Sequence, residues 1–194
     1  MIYEWRTYSF APGRALEYLD SFGREGLPLV TRHLPLLGYW LTDVGRLNVL
    51  HHLWAYASLD ERSACRVALA ADADWTAGFG PRAFPMIERQ ETAFLSLVGG
   101  SPALSDAVEN RSRSHAAVAS GSPRLATSRA ILEAAGERPP ALPGTETIGV
   151  WQVVAGDRPG GHLGLFHALA FDPVPTRPAS WREIMLPTIF SPLQ

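Results

Sequence analysis

The octapeptides GYWLTDVG at 38–45 and GVWQVVAG at 149–156 lie 111 residues apart and share their glycines and their tryptophan. The same ungapped shift lays Pro12 on Pro123 and Ala15 on Ala126. A fixed offset sustained across several elements marks two copies of one supersecondary unit. Past the second glycine the offset becomes 113, setting Leu53 on Phe166 and Trp54 on His167, and TAFLSL (92–97) resembles TIFSPL (188–193). A chain built this way must bury the apolar face of one copy against the other.

The first copy shows what the unit is. Residues 2–9 alternate and are rich in Tyr, Trp and Thr, as strands are. After Pro12-Gly13, Leu16, Leu19, Phe22, Leu27 and Val30 approximate one helical face, with a break expected near Gly26 and Pro28. Gly38–Val44 and Asn48–Ser58 flank a tight turn at Gly45-Arg46 and form a hairpin. A long Ala-rich helix opens on Leu59-Asp60-Glu61-Arg62, with acids where its dipole favours them, and Glu88–Val98 is the closing strand. This βαββαβ order is ferredoxin-like. The expected fold is therefore α+β: two tandem ferredoxin-like units, residues 1–98 and 111–194, joined by a linker at 99–110, with their sheets facing each other as an α+β barrel. The second copy has decayed. Pro139, Pro140 and Pro143 replace the end of its first helix, and only Pro175–Glu183 stands for its second.

Composition removes several functions. Seventeen basic against nineteen acidic residues give a net charge of −2 without a basic stripe, so no nucleic-acid partner is expected. All the basic residues are arginine, which leaves no Schiff-base lysine and no P-loop lysine. Cys65 is the single cysteine and packs in the Ala-rich helix. With Glu4 and Arg6 inside the first apolar stretch and no apolar run of about 18 residues, neither a signal peptide nor a membrane span is expected, and the location is expected to be cytoplasmic.

Alternation nominates the candidate site. On the first strand it separates Tyr3, Trp5 and Thr7 from Ile2, Glu4, Arg6 and Tyr8; on the third it separates Leu53, Ala55 and Ala57 from His52, Trp54 and Tyr56. If the small residues lie under helices, His52, Trp54 and Tyr56 face the barrel, opposite Leu165, His167 and Leu169. His52 is then a general base or a hydrogen-bonded core histidine. Glu4 and Arg6 assist catalysis or form an interior ion pair. Trp54, Tyr56 and Tyr8 are a substrate platform or packing. Gln90 is a donor to an oxyanion or a satisfied interior amide, and His167 is a polar residue on the facing wall. No metal is expected, since His51 and His52 point to opposite faces, as do His162 and His167. Gly160–Gly164 reads as a hairpin turn and not as a phosphate loop, and His33 is the only helical histidine for a haem.

The segments MIYEWRTY, GYWLTDVG, HLWAYASLDER and IMLPTIFSPLQ resemble the NIPSNAP family of dimeric α+β-barrel proteins. The resemblance implies the barrel more than a reaction: its members include mitochondrial proteins linked to vesicle trafficking and mitophagy and many bacterial proteins of unassigned activity. Relatives on the same barrel include cofactor-free monooxygenases, cyclases and haem enzymes. The expected function is a cofactor-independent enzyme of bacterial specialised metabolism that takes a small apolar aromatic or polyketide-like molecule into the barrel and cyclises, isomerises, rearranges or oxygenates it. A non-catalytic binding protein and a protein-interaction module are the alternatives. Pairing of the two sheets within one chain is favoured by their tether, and further association into a homodimer stays open.

Overall fold

The computed structural model describes residues 1–169 and 180–194. Strands β1 (Ile2–Phe10), β2 (Leu36–Val44), β3 (Val49–Tyr56), β4 (Ile87–Gly100), β5 (Arg129–Ala135), β6 (Thr145–Ala155), β7 (His162–Ala168) and β8 (Trp181–Pro187) close into one barrel in the order β1-β3-β2-β8-β5-β7-β6-β4. All the pairings are antiparallel. The first four strands make one sheet and the last four its counterpart, joined at the β2–β8 and β4–β6 seams. This is the α+β barrel of two facing sheets that the repeat implies.

Helices cover the outside of the first sheet. Helix α1 (Arg14–Ser21) runs through a π-helical turn at Phe22–Gly26 into α2 (Leu27–Val30), and α3 (Leu59–Ala71) leads through a second π turn to α4 (Gly80–Ala83). Ser58 caps α3 by accepting from the Glu61 N–H at 3.1 Å, while the Glu61 carboxylate accepts from the Ala57 N–H. The expected linker at 99–110 contains the end of β4 and helix α5 (Pro102–Glu109), which is capped by Ser101 and carries Leu104 into the barrel core. Residues 113–128 then cross the first helix layer, held by the Val118 N–H on the Gly23 carbonyl and by Arg124 on Asp20.

The barrel interior is a packed core of both halves. It holds Tyr3, Trp5, Trp40, Leu53 and Leu95 against Leu132, Trp151, Leu163, Leu165 and Met185. Trp5 stacks on Trp40 at 5.6 Å, and Tyr3 meets Trp151 edge-on at 5.7 Å. The repeated Gly-x-Trp now has a cause. Each tryptophan folds back over the glycine two residues earlier, where a Cβ would fall 2.0 Å from Trp40 at Gly38 and 2.4 Å from Trp151 at Gly149.

Two expectations are corrected by the register. Trp54 and Tyr56 lie beneath the helices with Tyr8, Tyr39 and Leu50, whereas Leu53 and Ala55 face the barrel axis. The large rings of Tyr3, Trp5, Trp40 and Trp151 already crowd the axis, and the small residues of β3 make room for them. In addition, Gly38 pairs with Leu53 and Gly149 with Leu165, so the third strands correspond at an offset of 112 and not 113. One residue of slip exchanges the faces, which matches Trp54 with Phe166 and Ala55 with His167.

The start and end of the second copy also differ from the repeat. Trp5 pairs with Leu53 as Leu132 pairs with Leu165, which makes β5 the counterpart of β1. It occupies residues where the 111 shift places a helix. Only residues 136–144 connect β5 to β6, and from this link Leu142 packs on Ile131 and Phe166 where a helix would otherwise lie. TIFSPL follows β8 and runs back along β2, with Thr188 N–H on the Tyr39 carbonyl and Leu193 N–H on the Leu37 carbonyl. The helix remnant expected at Pro175–Glu183 lies outside the described residues up to 179, and its last three residues begin β8.

Candidate active site

Strand β3 is buried along its whole length, so its two adjacent histidines enter different compartments. His51 points to the barrel axis beside Trp5 and Thr7; His52 points under the helices. Around His51 the barrel changes from apolar to polar. Its Nε2 lies 2.8 Å from Oε2 of Glu183 on β8, and its Nδ1 lies 3.2 Å from the Trp5 indole nitrogen and 3.1 Å from the Thr7 hydroxyl. An ionised carboxylate only accepts and an indole N–H only donates, so the proton of the neutral ring sits on Nε2 and Nδ1 carries the lone pair.

Glu183 is clamped from the first half of the chain. Oε1 accepts from the Arg46 N–H at 3.2 Å and from its guanidinium at 2.6 Å, and Oε2 accepts from the Thr42 hydroxyl at 3.3 Å. Gly45 makes this possible. It has φ +122°, and a Cβ there would fall 2.7 Å from Cγ of Glu183. Burial alone would raise the Glu183 carboxyl, but the hydrogen bonds from His51 and Arg46 outweigh it and hold the pKa at about 2. Burial lowers the pKa of His51 and outweighs the opposing pull of Glu183, so the imidazole is neutral near pH 7.

Directly beside this group a cavity of about 110 Å³ opens at the barrel mouth. Trp5, Thr7, Ala93, Ala134, Leu163 and Trp181 line it, and the charged side chains of Arg46, Glu91, Asp157 and Arg158 border it. Arg46 lies over the Trp181 ring at 4.9 Å, which fixes one aromatic wall. An oriented, neutral imidazole whose lone-pair nitrogen, shared with the Trp5 indole, touches the hydroxyl of a cavity-lining threonine can act as a general base. Among the described residues, no group of three or more His, Cys, Asp or Glu side chains is placed to hold a metal ion.

The residues nominated from sequence fall elsewhere. Glu4, Arg6, Tyr8, His52, Trp54 and Tyr56 share the outer face of β1 and β3, not the barrel interior. The fully buried Glu4 carboxylate accepts from Arg6, Arg62 and Arg66 at 2.9–3.2 Å. Burial would raise its pKa, but the Arg62 hydrogen bond and the charges of Arg66 and Arg6 bring it to about 2. Arg6 also donates to Gln90 at 3.1 Å and lies over the Tyr8 ring. His52 is sealed between Tyr8 and Tyr39, with Nδ1 accepting from the Trp54 indole at 2.7 Å. Its Nε2 is buried without a hydrogen-bond partner, and burial followed by the Arg6 and Arg66 charges pushes its pKa well down. His167 is separate from all of these, beside Ser101, Glu146 and Leu193 near α5.

Thus sequence reasoning missed His51, Thr7, Trp5, Arg46, Trp181 and Glu183. The repeat held the missing signal. Trp40 and Trp151 occupy matched positions, residues repeated in both copies belong on the shared interior, and Trp40 pairs with His51.

A NIPSNAP family profile matches residues 3–102, just over half of the chain. The chain belongs to the NIPSNAP family. Among curated NIPSNAP relatives, Protein NipSnap homolog 3B of Mus musculus is 36% identical over 97 residues, covering 50% of this chain and 39% of the relative. The chain thus spans about two fifths of the length of that relative. A solved NIPSNAP domain protein from Burkholderia xenovorans is 40% identical with a TM-score of 0.50, over 53% of this chain and 99% of its own. That NIPSNAP chain therefore corresponds to about half of this one. The whole barrel is matched by a putative monooxygenase from Lactobacillus acidophilus, with a TM-score of 0.52 over 98% of this chain and 96% of that one. Its 9% identity shows a common fold alone.

Proposed function

We propose that this NIPSNAP protein is a cofactor-independent enzyme that shifts a proton on a small aromatic molecule held at the barrel mouth. One observation carries the reading: Glu183 holds His51 by Nε2 and leaves Nδ1 within 3.1 Å of the Thr7 hydroxyl, which lines the cavity. Trp5 and Thr7 compete for the single lone pair. When Thr7 passes its proton to Nδ1, its oxygen takes one from the substrate, and Glu183 stabilises the imidazolium that forms. Return of the proton to a different substrate atom completes an isomerisation with no net change in atoms or electrons. His51 carries this role and not His52, whose ring is sealed between Tyr8 and Tyr39 beneath the helices, away from the cavity. No helix among the described residues is long and apolar enough to cross a membrane.

The test is exchange of the methyl protons of acetophenone in deuterated buffer, followed by proton NMR. Wild-type protein should accelerate exchange, and His51→Gln, checked by thermal melting for a folded state, should lose about a hundredfold of that acceleration. Equal exchange by the two proteins overturns the assignment of His51. Saturable binding without exchange by either protein leaves a binding protein as the function.

A further inference from the structure

Arg62 and Arg66 stand four residues apart on α3, on the face that also carries the buried Leu69, and both reach inward to the sheet. There they meet Glu4, as does Arg6 from β1. Among the described residues, Glu4 is the one carboxylate in salt-bridge contact with these three arginines. Gln90, the other partner of Arg6, is neutral. Glu61, in the same turn of α3 as Arg62, accepts from the Ala57 N–H and lies 3.9 Å from Arg111. Three guanidinium groups and one carboxylate leave two positive charges unbalanced in a half-buried setting, and like charges at this helical spacing repel.

The same place is short of acceptors. Arg6 Nε, Arg66 Nε and the hydroxyl of the fully buried Tyr56 have no hydrogen-bond partner, and the two Nε–H groups can only donate. Burial raises the pKa of Tyr56, and the Arg66 charge is the first to oppose it, which puts the hydroxyl beside that guanidinium. Unpaired donors next to excess positive charge are what an anion with several oxygens satisfies. The way in is open, because the side chains of Arg62 and Arg66 are 23% and 28% exposed. We infer that the junction of α3 with β1 is an anion site that takes a dianionic oxyanion of the phosphate class, with Arg62 and Arg66 holding its charge and Tyr56 donating at its inner end. Two negative charges match the excess, whereas a carboxylate neutralises half of it. The site lies on the helix-covered face of the first sheet, not in the barrel, and is independent of the reaction proposed at His51.

Isothermal titration of the full chain with inorganic phosphate and with methyl phosphate, at fixed ionic strength and with acetate as the singly charged control, tests this. Saturable binding of one phosphate per chain is expected, and at about ten times its dissociation constant it should raise the melting temperature by about 3–6 °C, where acetate does not. Binding of methyl phosphate as well assigns the site to a phosphate monoester, and its rejection assigns it to the free ion. Arg66→Gln should weaken phosphate binding by about tenfold or more. Tyr56→Phe should weaken it by about threefold to tenfold while leaving the phosphate-free protein at least as stable as the wild type, because the hydroxyl it removes has no partner there. Arg82→Gln, which removes the same charge from the exposed pair with Glu25, should bind as the wild type does. Absence of saturable binding, equal stabilisation by acetate, or unchanged affinity in either Arg66→Gln or Tyr56→Phe overturns the anion site.

Discussion

His51 donates from Nε2 to Glu183 across 2.8 Å, although the two residues stand 132 positions apart and belong to different copies of the repeat. Neither copy alone builds the group proposed to move a proton. β3 supplies the imidazole, β8 the carboxylate that orients it, and the β2–β3 turn the arginine that holds the carboxylate.

This bond should register as coupling between the halves. In a double-mutant cycle of His51→Gln and Glu183→Gln, followed by urea unfolding, the interaction energy is expected at about 1–3 kcal/mol. Both side chains are almost fully buried, so solvent screens the pair weakly. Strictly additive effects would mean that the two residues are neighbours without being partners.

Acid should destabilise the protein in two stages. His51 and His52 have pKa values below the ordinary 6.5 in the folded chain, so the unfolded chain binds more protons and stability falls as the pH drops below about 6.5. Glu4 and Glu183, held at about 2 against an ordinary 4.5, contribute stability above 4.5 that is lost as the pH falls from there toward 2. Urea midpoints measured from pH 7.5 to 3 should decline through both windows. His51→Gln should flatten the upper decline, and Glu183→Gln the lower one.

Glu4 joins α3 to β1 through Arg6, Arg62 and Arg66, and removing its charge leaves three guanidinium groups crowded around a neutral amide. Glu4→Gln is expected to cost about 3–5 kcal/mol, the range found for breaking buried ion pairs. A loss below 1 kcal/mol in urea unfolding would show that water replaces the carboxylate.

The Gly-x-Trp positions should behave alike in the two copies. Gly38→Ala and Gly149→Ala each force a methyl group into a tryptophan ring and are expected to cost about 1–3 kcal/mol, with a changed near-ultraviolet dichroism. Gly78→Ala, whose Cβ meets nothing within 4 Å, is the control and should be neutral or slightly stabilising.

Much of the fold was legible because a repeat reports on tertiary structure directly. Gly38, Trp40, Gly149 and Trp151 announce two copies of one unit through their common spacing of 111 residues. The site was harder to read because β3 carries no solvent-facing residue: with every position from Val49 to Tyr56 buried, alternation separates two faces without saying which is which. Taking Ala55 as a helix-facing residue then carried His52 into the barrel and His51 out of it. Glu183 was out of reach for a different reason. Its partners lie on β2 and β3, and only the closure of the ring brings β8 beside β2.

That closure has a consequence during synthesis. β8 emerges last, yet it is the strand that sits between β2 and β5. While the ribosome is still making the second half, the finished first sheet shows Trp5, Trp40, Leu53 and Leu95 with nothing over them. A neighbouring nascent chain displays the same surface, and its second half fits there as well as the chain's own. Exchange of halves between two chains would create the same seams and the same His51–Glu183 bond, so the barrel contacts do not discriminate between a monomer and a swapped pair. The discrimination falls to the stretch between the halves. By fastening Val118 to Gly23 and Arg124 to Asp20, the chain shortens its own leash and raises the local concentration of its own second half at the seam.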